Sequence, residues 1–160
     1  MAGGKGEHHY SVSVTWTGNR GSGTADYRAY GRDLTIAAEG KANIPGSADT
    51  ACRGDADRWN PEDLLVAALS SCHQLAYLHL CAVAGIRVVD YRDEASGTMV
   101  IDAASGSGRF TSVVLRPQVT IRAGDDVDEA RQLHHDAGKA CFIASSVNFT
   151  VGHEPTIKTE

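Results

Sequence analysis

The sequence predicts an α+β domain. Three observations predict it: a long apolar run after Asn60 that ends at Gly85, a second helix-capping pattern at Asp126, and segments of strand character on either side of both. The order strands, helix, strands, helix, strand describes antiparallel sheets wrapped around apolar helices, with no parallel βαβ rhythm. A chain of 160 residues with 42% hydrophobic content is long enough for a real core without disulfide staples, so one domain over residues 1–160 is expected.

The first element is a strand, because Tyr10, Val12, Val14 and Trp16 alternate with Ser11, Ser13 and Thr15. The turn GNRGSG, Gly18 to Gly23, places Arg20 at a hairpin tip, and strand-like stretches at Thr24 to Tyr30 and Asp33 to Ala38 complete a meander. Residues 40–59 are irregular, too long for a tight turn and too short for a linker, and read as an ordered functional loop. Asn60 then serves as an N-cap, Pro61 suits the first helical position, and Glu62 and Asp63 put negative charge at the positive end of the dipole. This helix carries Leu64, Leu65, Ala68, Leu69, Cys72, Leu75, Ala76 and His79 on one broad side and is apolar over most of its circumference, so it is expected to be buried on several sides.

A second meander is expected from Arg87 to Asp93, Thr98 to Ala103 and Phe110 to Arg122, with ASGSG as its last turn. Asp126 and Glu129 stand in capping-box spacing at the start of the second helix, Gly138 weakens that helix near its end, and VNFTVGHE is the final strand.

The net charge of -5 and the scatter of fifteen Lys and Arg exclude a basic stripe for nucleic acid. The N-terminus has no apolar signal region, and no later run is read as reaching the ~18 apolar residues of a membrane span, so a cytoplasmic protein without membrane contact is expected. In that reducing compartment four cysteines are free or redox-active rather than structural bridges. There is no C-x-x-C or H-x-x-x-H spacing, and the adjacent His134 and His135 face different sides of a helix, so neither a metal nor another cofactor is expected.

Cys72, inside the long helix, and Cys141, at the end of the second, lie 69 residues apart in unlike settings, which suggests a two-cysteine redox enzyme. A free cysteine in an apolar helix is often only a small core residue. A nucleophilic Cys72 needs its thiolate, hence a nearby cation, and Arg20 and Arg53 are the loop arginines on offer, with Glu62 to orient one of them. Each has a plain alternative: a solvated surface arginine, or a first-turn acid acting on the dipole. Cys81 lies about 180° around the helix from Cys72, Cys52 sits in the irregular loop, and Cys141, coming from another element, is the better partner within the ~6 Å Cα separation of a disulfide. Glu62 precedes Cys72 by roughly 15 Å of helical rise. Either the helix bends, or Glu62 and its arginine serve the Cys72 of a second protomer, which also accounts for the all-round apolar surface. His73 adjoins Cys72, and His79, ~10 Å further along, is too distant for a base and reads as pocket lining or a core histidine.

The stretch NPEDLLVAALSSCHQLAYLHLCAVAGI resembles the signature helix of the OsmC/Ohr family, osmotically inducible protein C and organic hydroperoxide resistance protein, and the resemblance extends over essentially the whole chain. It implies an OsmC-like fold, an intertwined homodimer and a thiol peroxidase. In that reading Cys72 reduces an organic hydroperoxide or H2O2 and becomes a sulfenic acid, Cys141 captures it as a disulfide, and a lipoyl-type or thioredoxin-type dithiol regenerates the pair. The family's glutamate maps onto Glu62. Its arginine matches Arg20 where members resemble Ohr and Arg53 where they resemble OsmC. Phe142 stands where the family has Pro after its second cysteine, and the region before the first helix is longer, features of an OsmC-like branch. The alternative function is a redox sensor or small-molecule binding protein that uses an oxidisable Cys72 on the same fold without turnover.

Overall fold

The computed structural model describes residues 6–160, which divide into two compact parts, the first ending at Leu64 and the second running from Leu65 to Glu160. In the first, β1 (Ser13–Trp16), β2 (Leu34–Ala37) and β3 (Ile44–Gly46) form an antiparallel sheet in that order, with Trp16 opposite Leu34 and Leu34 opposite Gly46. The strand expected over Thr24 to Tyr30 is instead turns and bends. Local polar bonds win there: the Asn19 side chain accepts from the N–H groups of Gly21 and Gly23, both at positive φ, and Asp26 accepts from Arg28 N–H. The Arg32 guanidinium then clamps the loop, lying 4.3 Å from the Tyr27 ring and 4.1 Å from the Tyr30 ring while donating to both their carbonyls.

The stretch 40–59 is ordered, as its composition suggested, but it contains β3 and a 3-10 turn at Thr50–Cys52 capped by Asp49. Ser47, 1% exposed, accepts from Asp55 N–H, and Arg58 lies within 3.7 Å of Asp33 and 3.6 Å of Asp55. A Cβ at Gly54 would stand 1.6 Å from the Ala48 carbonyl oxygen, so only glycine permits this closure.

The helix α1 (Pro61–Ala84) starts as expected, with the Asn60 side chain accepting from Asp63 N–H at 2.7 Å, and stops at Gly85, φ 78°. In the second part its residues Leu69, His73, Tyr77 and Cys81, spaced by four, form the buried stripe. Ser71, Leu75, His79 and Val83 form an exposed one. Contrary to the run-length expectation, an 18-residue window of α1 reaches a mean hydropathy of 1.4, long and apolar enough to cross a membrane, with 22% of it buried in the chain. Polar residues such as Ser70, Ser71 and Gln74 interrupt the run, but the Leu, Val, Ala and Cys residues around them hold the mean at 1.4.

The expected second meander is one long bent hairpin. One arm is β4 (Val88–Asp93) and β5 (Ser96–Ile101), the other β6 (Gly108–Leu115) and β7 (Pro117–Ile121), paired antiparallel from Val88 opposite Ile121 to Ile101 opposite Gly108. Both arms bend near Arg116, whose N–H donates to Asp93 at 2.6 Å and whose guanidinium reaches Ser96 and Glu154. The helix α2 (Val127–Ala140), capped by Asp126, leads to β8 (Thr150–His153) and β9 (Thr156–Thr159), the latter a strand the sequence did not announce. β8 runs parallel to β6 and β9 parallel to β7, giving sheets in the order β5-β6-β8 and β4-β7-β9. The sheets are thus mixed rather than antiparallel, because α2 carries the chain back along the sheet and makes a βαβ crossover that the sequence reading had excluded.

Candidate functional site

Cys72 is half-buried on α1, and Cys141, 1% exposed, follows the last residue of α2 in an extended conformation. The two side chains are neighbours, close enough for Cys72 to act on the ionisation of Cys141. Burial, then Cys72, pushes the Cys141 thiol up to about 11, partly offset by Ala144 N–H, which donates to its sulfur at 3.4 Å. Phe142, 83% exposed, does not prolong the helix despite not being Pro. The chain turns immediately after Cys141 into a 3-10 turn at Ala144–Ser146, whose Ser145 donates from both N–H and hydroxyl to the Cys141 carbonyl.

Cys81 is buried beside the Tyr77 hydroxyl, with burial pushing its thiol up, and Cys52 is exposed.

Next to the pair lies a group of imidazoles. His73, 2% exposed, meets His134 through Nε2 and Nδ1 at 3.0 Å, with ring planes 6° apart and centroids 5.3 Å apart, the geometry of an edge-to-edge hydrogen bond. His134 in turn stacks on Tyr77 at 3.7 Å, and Tyr77 donates to the Ala130 carbonyl. His153 stands 5.6 Å from His73, and His135, exposed, 6.4 Å from His153. Burial and the neighbouring imidazoles hold His73 down to about 4 and His134 to about 3, with Asp93 partly opposing the shift at His73; burial also lowers His153. His73 and His134 are therefore neutral at pH 7, and one donates to the other. His134 Nε2 and the Tyr91 hydroxyl are buried without a hydrogen-bond partner among the described residues. No group of three metal-ligating side chains occurs among those residues.

An open pocket of about 270 Å³ reaches this region. Leu69, Leu115, Ala144 and Val151 supply its apolar walls, and His73, His135, His153, Lys139 and Cys141 its polar ones. Cys72 does not line it.

The three other residues singled out from sequence lie in the first part. Arg20 is exposed, its Nη2 3.5 Å from where a Cβ at Gly31 would stand. Arg53 occupies the left-handed region, φ 65°, with its guanidinium 6.0 Å from the Tyr27 ring. Asp55, beside it in sequence, pairs with Arg58 instead. Glu62 Oε2 is buried without a partner, and among the described residues Glu62 forms no ion pair with either arginine. His79 is exposed and does not line the pocket beside Cys141, contrary to expectation, because α1 turns it onto the stripe of Leu75 and Val83. The imidazole group was missed. Its one sequence signal was His73 falling in the four-residue rhythm of Leu69, Tyr77 and Cys81.

Residues 54–159 match the family model described as OsmC-like protein. An OsmC-like protein of unknown function from Vibrio cholerae is 32% identical, with a TM-score of 0.84 over 94% of this chain and 100% of that one. An organic hydroperoxide resistance protein from Elizabethkingia anophelis shares the fold at 18% identity and a TM-score of 0.67, over 96% of this chain and 99% of that one. The uncharacterized protein YmaD of Bacillus subtilis is 24% identical over 91% of this chain and 90% of its own length.

Proposed function

The chain belongs to the OsmC-like protein family, and from that premise we propose that it is a cysteine-based peroxidase acting on organic hydroperoxides. The observation that carries the proposal is that folding makes neighbours of Cys72 and Cys141, brought from separate helices 69 residues apart. A core cysteine needs no such partner. The name of the Elizabethkingia protein supports peroxide as the substrate class.

The Cys72 thiolate attacks one peroxide oxygen, the O–O bond breaks, and the alcohol leaves after taking a proton. Cys72 is then a sulfenic acid. The Cys141 sulfur attacks the Cys72 sulfur, water leaves, and a disulfide joins the two. A dithiol reductant restores both thiols while becoming a disulfide itself. Arg20 or Arg53, oriented by the unpartnered Oε2 of Glu62, stabilises the thiolate and the departing oxygen. The unbroken α1 separates Glu62 from Cys72 by ~15 Å of rise, which supports a homodimer in which Glu62 serves the partner's Cys72. Reduced thiols suit a cytoplasmic protein.

Consumption of cumene hydroperoxide and of H2O2 with a small dithiol tests the reading, followed by peptide mapping after one equivalent of oxidant. Turnover, a Cys72–Cys141 disulfide, a sulfenic acid trapped in Cys141→Ser and an inert Cys72→Ser are expected. A disulfide through Cys52 or Cys81, or oxidation without turnover, refutes it.

A further inference from the structure

The pocket lies against Cys141 and not against Cys72, and this separates two jobs that the pair must perform. Once the disulfide has formed, an incoming thiol must approach one of its sulfurs along the S–S axis, from the side away from the other sulfur. Cys141 borders the pocket while Cys72 does not, so of the two cysteines it is Cys141 that adjoins open space.

We propose that this pocket is a second binding site, for a small anionic thiol, and that the thiol attacks the Cys141 sulfur of the oxidised protein. The inference rests on the Cys72–Cys141 pairing proposed above. A new S–S bond forms between the ligand and Cys141, the Cys72–Cys141 bond breaks, and Cys72 departs as thiolate. A second thiol, from the same molecule or another, then attacks the ligand's sulfur and releases Cys141, so two ligand thiols are oxidised to a disulfide as two cysteines are reduced.

Three features of the lining support this. The cavity, about 270 Å³, fits a small molecule rather than a protein loop, and Leu69, Leu115 and Val151 suit an aliphatic chain. Lys139 supplies the cation: its side chain is 68% exposed, its nearest carboxylate, Asp136, is 3.9 Å away, and it lies in the last turn of α2, where it offsets the negative end of the helix. His153 lines the same space and places an imidazole where it can take the proton as the ligand becomes a thiolate. The direction of attack follows from leaving-group chemistry as well. A thiol pushed up to about 11 leaves slowly, so Cys141 is better attacked than expelled.

The test uses the full chain carrying Cys52→Ser, so that the exposed thiol takes no adduct, with the Cys72–Cys141 disulfide installed by diamide rather than peroxide. It is treated with 3-mercaptopropionate, 2-mercaptoethanol or cysteamine, quenched in acid, and mapped for the mixed disulfide. Each rate is divided by that of the same thiol on a small unstructured disulfide. We expect the adduct on Cys141 with Cys72 free, and normalised rates that fall from mercaptopropionate to mercaptoethanol to cysteamine by about threefold per step, as an exposed charge pair gives. Lys139→Glu, on the surface, should reverse that order. An adduct on Cys72, rates indifferent to charge and to Lys139→Glu, or no disulfide with diamide overturns the proposal. Because no peroxide is used, a protein that takes the thiol on Cys141 but does not turn over hydroperoxide upholds this site and refutes only the peroxidase.

Discussion

Arg20 and Arg53 are not equivalent candidates for the cation that the proposed Cys72 chemistry requires. Arg20 projects from a glycine-rich turn held by Asn19, with room for close approach of another surface, whereas Arg53 is set at a left-handed backbone position with its guanidinium toward Tyr27. In a Cys141→Ser background, where one sulfur reacts, Arg20→Ala should slow oxidation of Cys72 by organic hydroperoxide by ~100-fold, the scale of losing one electrostatic stabiliser. Stopped-flow rates check this, with Arg53→Ala expected to stay within a few-fold of the parent; the reverse order would give the role to Arg53. The sequence locates Cys72 within its helix and Cys141 at the end of the second, and the NPE start of α1 locates Glu62 in its first turn. The imidazoles were not legible, since His134 and His153 come from distant segments and only folding brings them to His73. They carry their own expectation. His73 and His134 are depressed to about 4 and 3 among His153, His135, Asp93, Tyr77 and Tyr91, so the unfolded chain binds protons that the native state refuses. Stability conferred by keeping them neutral is complete above the unfolded value of about 6.5, declines as pH falls, and is gone once pH drops through 4 and then 3. Urea midpoints from pH 7.5 to 4 should fall less steeply for His73→Gln than for the parent chain.

The bent hairpin and α1 are joined through one carboxylate. Asp93 accepts from the Ser70 hydroxyl on α1 at 2.5 Å and from Arg116 N–H at 2.6 Å, at the corner where β6 gives way to β7. Asp93→Ala leaves both donors unpaired in a half-buried place and should lower stability by ~1–3 kcal/mol, whereas Ser70→Ala removes one bond only and should lower it by about 1 kcal/mol. Denaturant titration of both variants distinguishes them, and equal losses would mean the Arg116 contact contributes nothing. The segments of this hairpin were legible from alternation, and their caps and turns from local chemistry. The corner was not, because a strand that changes sheet keeps its apolar pattern. Nor was the parallel course of β8 and β9, because alternation reports which face is buried and says nothing of a partner strand's direction.

For the molecule as a whole, α1 poses a question of what covers it. One stripe, Leu69, His73, Tyr77 and Cys81, is buried in the chain's own core, while Leu75 and Val83 stand 68% and 74% exposed on another. Covering both side chains is worth about 1.5–3 kcal/mol each, and a second copy of α1 across a two-fold axis would cover them while bringing a second Glu62 toward each Cys72. A stable dimer at micromolar concentration is therefore expected in sedimentation equilibrium. Leu75→Glu places like charges opposite each other if the stripe lies at the axis, and should yield a monomer with peroxide turnover reduced at least tenfold. Diamide should still close the Cys72–Cys141 disulfide in that monomer, because both thiols belong to one chain, and this separates loss of the partner from loss of the fold. A parent chain that is monomeric and fully active would instead require Glu62 to act on the Cys72 of its own helix, across ~15 Å of rise.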